Sequence, residues 1–157
     1  MKNKDKPIFI KELIQAGKLN NSLNYKPEDD FLIGKKKVGK ELIIIGGPCS
    51  VEGEEMIINA ALQIKKAGGD ALRAGAYKPC TYPVNNEVNG WKEGMQEKGL
   101  EFLIEARKQS GLEIVSEIME PKQLEKAYDA IDIIQVGTRN FQNYTLLNEL
   151  SKQNKPV

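Results

Sequence analysis

The chain has 157 residues, of which 40% are hydrophobic and 29% are charged, and its formal net charge is +1. This composition is typical of one globular domain that buries a core, and it excludes wholesale disorder and a strongly basic nucleic-acid-binding surface. The absence of histidine excludes Ser-His-Asp triads and imidazole metal sites within the chain, and no apolar run suits a signal peptide or a membrane helix.

Residues 1–40 are polar and lysine-rich, and we interpret them as an N-terminal extension with one short helix and a hairpin-like arm. The run Gly-Lys-Lys-Lys-Val-Gly-Lys at 34–40 is typical of a turn between two short strands. Its lysines are expected to form a solvated loop rather than an anion site. Residues 41–157 are predicted to form one regular domain.

Strands and helices alternate from residue 41 onward. The β-branched run at 42–46 predicts a first strand that is buried on both faces. Ser50 is predicted to cap a helix that Gly68 and Gly69 end. The remaining elements continue the alternation: strands at 71–77, 113–119 and 132–137, helices around 100–104, from 121 and around 146–150, and the start of a fifth strand at 155–157. This order predicts an α/β fold with parallel strands and right-handed crossovers.

Each predicted strand is apolar at its start and polar at or just past its end. The polar residues in question are Cys49, Arg73, Lys78, Glu117, Gln135 and Arg139. Polar residues at the carboxyl ends of parallel strands are typical of barrel active sites. Two arginines and a lysine outnumber one carboxylate, which predicts a phosphate or carboxylate ligand. The alternative is a structural ion pair, such as Glu117 with Arg73.

Four motifs occupy these strand ends: Gly-Pro-Cys-Ser-Val-Glu at 47–52, Arg-Ala-Gly-Ala-Tyr-Lys-Pro at 73–79, Ser-Glu-Ile-Met-Glu-Pro at 116–121 and Gln-Val-Gly-Thr-Arg-Asn-Phe-Gln-Asn at 135–143. In this order they resemble the type I 3-deoxy-D-arabino-heptulosonate 7-phosphate (DAHP) synthases over roughly residues 42–157. The sister family, the 3-deoxy-D-manno-octulosonate 8-phosphate (KDO-8-phosphate) synthases, shares Gly-Pro-Cys-Ser but lacks the Arg-Asn-x-Gln-Asn run. The heptulosonate branch is therefore favoured.

The resemblance implies an (β/α)8 TIM barrel, truncated here to about four β-α units plus the start of strand five, since a complete barrel has about 250 residues. It implies an aldol-type condensation of phosphoenolpyruvate with erythrose 4-phosphate, the first step of the shikimate pathway. A divalent metal ion is implied as cofactor, with its other ligands expected in the absent half. Because those ligands are absent, we expect this chain alone to be inactive. We also expect it to be cytoplasmic and homo-oligomeric, with no nucleic-acid or membrane partners.

The resemblance also implies roles for individual residues. Those roles are metal ligation for Cys49, catalysis for Lys78 and Glu117, and substrate binding for Arg73, Lys78, Pro79, Thr81, Arg139 and Gln142. Cys80 stands where the family has an arginine for the aldose phosphate, so a synthase for another sugar phosphate is one alternative. A non-catalytic remnant, or a half-barrel that binds phosphate ligands, is the other.

Overall fold

The computed structural model describes residues 31–78 and 94–157. The first element is a hairpin of two short antiparallel strands, β1 (Leu32–Ile33) and β2 (Lys36–Lys37). Gly34 adopts a φ of +62° in its turn, a conformation that glycine reaches without strain. The predicted hairpin is confirmed, although its second strand lies inside the run predicted as a turn. The helix predicted before it lies outside the described residues, and the domain boundary at residue 40 stays a prediction.

Four parallel strands form the central sheet, in the sequential order β3-β4-β5-β6. Their bounds are β3 Ile45–Gly46, β4 Ala71–Arg73, β5 Glu113–Glu117 and β6 Ile133–Gln135. The helices of the described residues are α1 Glu54–Lys66, α2 Gln96–Ser110, α3 Pro121–Ala127 and α4 Tyr144–Leu150, with a 3-10 turn at Thr138–Asn140. The predicted β-α alternation is confirmed.

The two faces of this sheet carry different cores. Leu72, Ile114 and Ile134 belong to the larger cluster, which also contains buried residues of all four helices. The strand neighbours of these residues, among them Val115, belong to a smaller cluster with Ile33 of the hairpin. Because successive strand residues point to opposite faces, the helices cover one face and Ile33 packs on the other.

The segment predicted as the first strand, residues 42–46, is largely exposed, so its predicted burial on both faces is wrong. Leu42 is 79% exposed, Ile44 48% and Ile45 44%. The reason is that β3 lies at the edge of the described sheet and pairs only with β4. The predicted cap is also wrong, because α1 begins after Gly53, and Ser50 instead forms a buried bridge to Gly75.

The last residues of the chain run beside β6. The backbone N–H of Ile134 donates to the carbonyl oxygen of Pro156 at 2.9 Å, as expected if a fifth strand opens there. Lys155 Nζ donates to the carbonyl oxygens of Tyr128 and Ile131, each at 2.5 Å, at the end of α3. No helix in the described ranges is long and apolar enough to cross a membrane.

Candidate functional site

Three polar side chains end three adjacent strands on the same face. Arg73 ends β4, Glu117 ends β5 and Gln135 ends β6. Glu117 and Gln135 are register partners, and Arg73 pairs with Val115, two residues before Glu117. Alternation along each strand therefore puts all three on the face of the smaller core cluster, at the carboxyl edge.

The guanidinium of Arg73 is held on three sides. Its Nε donates to Gln135 Oε1 at 2.8 Å, and its Nη1 donates to the carbonyl oxygens of Cys49 at 3.0 Å and Pro48 at 3.4 Å. Its Nη2 lies 3.9 Å from Glu117 Oε2. Gly47 also lets the backbone of Arg73 pack against the same loop, because a Cβ there would lie 1.9 Å from the carbonyl oxygen of Arg73. The arginine is consequently fixed against the loop that follows β3.

The carboxylate of Glu117 lies between two cations. The residue is 3% exposed, and its Oε2 is 3.5 Å from Lys78 Nζ as well as 3.9 Å from Arg73. A buried carboxylate is destabilising unless cations compensate it. Gly137 leaves room for the carboxylate, since a Cβ there would lie 1.9 Å from Oε1. Two cations against one carboxylate leave one positive charge in excess.

Lys78 reaches the cluster because it lies beyond the strand. Strand β4 ends at Arg73, and the chain then forms a single parallel bridge between Gly75 and Ser50. Arg73 and Lys78 have opposite parity along an ideal strand, so they would face apart if the strand continued. The break allows both cations to approach the same oxygen of Glu117. The alternative of a structural ion pair between Arg73 and Glu117 agrees with their 3.9 Å distance, and the structure adds Lys78 as a second cation.

Cys49 contributes its backbone to the cluster and exposes its thiol. Its carbonyl oxygen accepts from Arg73 Nη1 and from the backbone N–H of Gly75 at 3.4 Å. The thiol is free and exposed. Across residues 31–78 and 94–157, no three cysteine, histidine, aspartate or glutamate side chains come together as metal ligands. These residues therefore do not form a metal site, and ligation by Cys49 stays a prediction.

The Arg-Asn-x-Gln-Asn run divides into anchoring and exposed residues. Asn140 and Asn143 donate through Nδ2 to the carbonyl oxygen of Met119, at 3.1 and 3.4 Å. Asn143 Oδ1 also accepts from the first turn of α4. Arg139 and Gln142 are exposed, and the described contacts give Arg139 no ion pair. Their substrate-binding roles stay predictions, and the predicted residues Pro79 and Thr81 lie outside the described residues, as does Cys80.

Tyr77, next to Lys78, has a buried hydroxyl for which the described contacts give no hydrogen-bond partner. Its ring is 5% exposed, and burial, followed by the charge of Glu97, raises the pKa of the phenol above its usual 10.0. The hydroxyl is not part of the charged cluster.

Comparisons with known proteins agree with this geometry. A family model described as the DAHP synthetase I family matches residues 18–157. The phospho-2-dehydro-3-deoxyheptonate aldolase of Thermotoga maritima is 42% identical over 87% of this chain and 39% of its own length. The 2-dehydro-3-deoxyphosphooctonate aldolase of Wolinella succinogenes is 28% identical over 74% of this chain and 44% of its own. The chain thus spans less than half the length of these relatives.

The solved structures that are similar to this chain come from the same family. A crystal structure of the Thermotoga maritima heptonate aldolase (DAHP synthase) matches with a TM-score of 0.69 and 40% identity, covering 82% of this chain and 35% of that one. A truncated form of the enzyme from the same organism matches with a TM-score of 0.67 and 40% identity, over 82% of this chain and 44% of its own. These neighbours are TIM barrels, so the predicted fold class is confirmed.

Proposed function

Because this chain belongs to the DAHP synthetase I family, we propose that it carries the phosphoenolpyruvate-binding part of a 3-deoxy-7-phosphoheptulonate synthase. The reaction is the aldol-type condensation of phosphoenolpyruvate with erythrose 4-phosphate, which opens the shikimate pathway. The observation that carries the proposal is the cluster of Arg73, Lys78 and Glu117, with its excess positive charge, at the carboxyl ends of parallel strands.

The cluster suits a small anion with a phosphate and a carboxylate group. Phosphoenolpyruvate presents a phosphate and a carboxylate, and charge-assisted hydrogen bonds from guanidinium and ammonium groups bind both groups well. Arg73 supplies a guanidinium held on Gln135 and on the backbone of Cys49, and Lys78 supplies an ammonium held beside Glu117. In this role Glu117 orients Lys78, while Arg139 and Gln142 bind the substrate from the loop after β6.

The metal that the family resemblance implies is not accounted for by the described residues. The Cys49 thiol is a suitable ligand for a divalent cation, but a catalytic site needs about three protein ligands. No companion ligands cluster with it in the described part of the chain. We therefore derive no step through a metal and expect the 157-residue chain alone to have negligible synthase activity.

A second candidate function follows from the same observation. With one exposed thiol and an excess positive charge, the described residues also suit a non-catalytic module that binds phosphate-containing ligands. Both functions predict binding of phosphoenolpyruvate, and only turnover by this chain would favour the synthase over the binding module. A synthase for another aldose phosphate is less well supported, because the octonate relative is 28% identical and the heptonate relative 42%.

The proposal also covers the cellular compartment and the oligomeric state of the protein. The free thiol of Cys49 supports a reducing cytoplasm. The exposed apolar residues Leu42, Ile44 and Ile45, in and just before β3 at the edge of the described sheet, support self-association. Size-exclusion chromatography with light scattering measures the assembly directly, and a monomer at micromolar concentration would contradict this part of the proposal.

Titration with phosphoenolpyruvate at low salt tests the binding. We expect a dissociation constant in the millimolar range, about −4 kcal/mol, because Arg73 and Lys78 remain partly exposed to water, which weakens their bonds to a ligand. Arg139→Ala should abolish the heat or NMR signal, whereas Lys37→Ala, in the hairpin, should leave it unchanged. If both substitutions weaken binding equally, the attraction is diffuse and the proposed site does not exist.

Phosphate release from phosphoenolpyruvate and erythrose 4-phosphate tests the expectation that the chain alone is inactive. Negligible release with millimolar binding fits the anion-binding module, and also a synthase part that needs further ligands. Turnover on the order of 1 per second, ordinary for an enzyme, would contradict the expectation that the chain alone is inactive.

A further inference from the structure

Gln135 is the neutral member of the charged cluster. It ends β6 beside Glu117, and its Oε1 accepts the Nε–H of Arg73 at 2.8 Å. The strands of a buried parallel sheet are normally apolar. A half-buried amide at the end of such a strand is therefore expected to have a specific polar partner. Among the described residues, Arg73 is the side chain that it contacts by a hydrogen bond.

The choice of an amide has an electrostatic consequence. A carboxylate at the same position would also accept from Arg73 Nε, and more strongly, because its charge would assist the bond. It would however add a second negative charge beside two cations, and the excess positive charge of the cluster would fall from one to zero. An apolar side chain of the same length would preserve the charge but leave the guanidinium without its lateral acceptor.

We propose that Gln135 is a positioning residue that fixes the guanidinium of Arg73 through its Nε without neutralising it, so that the cluster keeps its excess charge for phosphoenolpyruvate. The identity of the ligand rests on the proposed function, whereas the orientation of Arg73 does not. Gln135 accepts the hydrogen bond from Nε, and the Cys49 carbonyl oxygen accepts one from Nη1. This leaves Nη2 on the side of Glu117 and Lys78.

The orientation is tested without any ligand, by the Arg73 Nε–H resonance in a ¹H–¹⁵N spectrum of the full chain. In the wild type this proton should exchange slowly with water because it is hydrogen-bonded. Gln135→Met should abolish the protected signal, and Gln135→Glu should retain it. A protected Nε–H that survives in Gln135→Met would overturn the positioning role.

The charge is tested by titrating the same variants with phosphoenolpyruvate, monitored by ligand-detected NMR at about 0.15 M ionic strength, where the Debye length is about 8 Å. Gln135→Glu should weaken binding by about tenfold, since one charge-assisted contact is lost to the new carboxylate. The control is Gln63→Glu, an exposed position on α1 that makes the same change in net charge. It should alter the affinity by less than about twofold, because exposed charges at a distance are screened.

The outcomes separate this proposal from the function on which it rests. If Gln135→Glu binds phosphoenolpyruvate as tightly as the wild type does, a neutral side chain at position 135 is not needed, and this part of the proposal is overturned. Absence of phosphoenolpyruvate binding in the wild type, together with an Nε–H that depends on Gln135, refutes the proposed function and supports the positioning role. Should Gln135→Met fail to fold, Gln135→Glu, which keeps the hydrogen bond, still decides whether the neutral amide matters.

Discussion

Gly137 is the position where one added methyl group should disrupt the charged cluster most directly. A Cβ there would lie 1.9 Å from Glu117 Oε1 and 2.7 Å from its Cδ, far inside van der Waals contact. Its φ of −69° suits any residue, so the effect of Gly137→Ala is steric and not a matter of backbone strain. Glu117 is 3% exposed and has to move away from Lys78 and Arg73 to admit the methyl group.

The expected cost has two parts. Overpacking a core costs about 1–3 kcal/mol, and displacing a buried carboxylate from its cations costs up to about 3–5 kcal/mol. We expect Gly137→Ala to lower the free energy of unfolding by about 2–4 kcal/mol, because partial relaxation recovers some contacts. Urea denaturation followed by circular dichroism measures this difference.

A matched glycine provides the control. A Cβ on Gly53, before α1, would meet nothing within 4 Å, so Gly53→Ala should cost less than about 1 kcal/mol, the loss of a good N-cap residue. The double variant Glu117→Ala/Gly137→Ala should be more stable than the sum of the single changes by at least about 1 kcal/mol. Equal costs at the two glycines, or strict additivity of the pair, would refute the steric argument.

Three other substitutions have expected outcomes. Tyr77→Phe removes a buried hydroxyl without a described partner, so unfolding measurements should show unchanged stability or a gain of up to about 1 kcal/mol. Hydrogen bonds to Asp70 from the Ile44 N–H and then from Lys36 lower its pKa below the usual 3.8, so its contribution is present above pH 3.8 and lost below it. The stability difference between wild type and Asp70→Asn should therefore shrink as the pH falls below 3.8. Lys155→Met removes two bonds to carbonyl groups at the end of α3 and should cost about 1 kcal/mol or more in thermal unfolding.

Most of the fold could be predicted from the alternation of apolar runs and from the polar residues at the strand ends. The alternation of apolar runs predicted parallel strands, and the structure has four parallel strands, which lie in sequential order. The polar strand ends predicted one site with Cys49, Arg73, Lys78, Glu117 and Arg139. Two ion-pair distances bring Arg73 and Lys78 to Glu117, whereas Cys49 contributes only its carbonyl oxygen and Arg139 is exposed with no described ion pair. Local patterns succeed here because the pleat decides which face each strand residue occupies.

The sequence was less informative wherever a neighbour in space decides the outcome. A run of β-branched residues predicts burial, but the exposure of Ile44 depends on whether another strand lies beside β3. Nothing local to Gly137 indicates that it makes room for Glu117. In the same way, the sequence places Asn140 and Asn143 in one run with the predicted substrate-binding residues. Only the structure shows that both donate hydrogen bonds to the carbonyl oxygen of Met119.

The central claim is that the cluster at the strand ends binds phosphoenolpyruvate, and a map of amide chemical shifts tests it most directly. Gly75 and Gly137 adjoin the cluster, and Lys36 lies on the hairpin. Titration of the ¹⁵N-labelled chain with phosphoenolpyruvate should move the amides of Gly75 and Gly137 with one common millimolar dissociation constant, and leave Lys36 in place. Shifts that are absent from the two glycines, or that are largest along the hairpin, would contradict the claim.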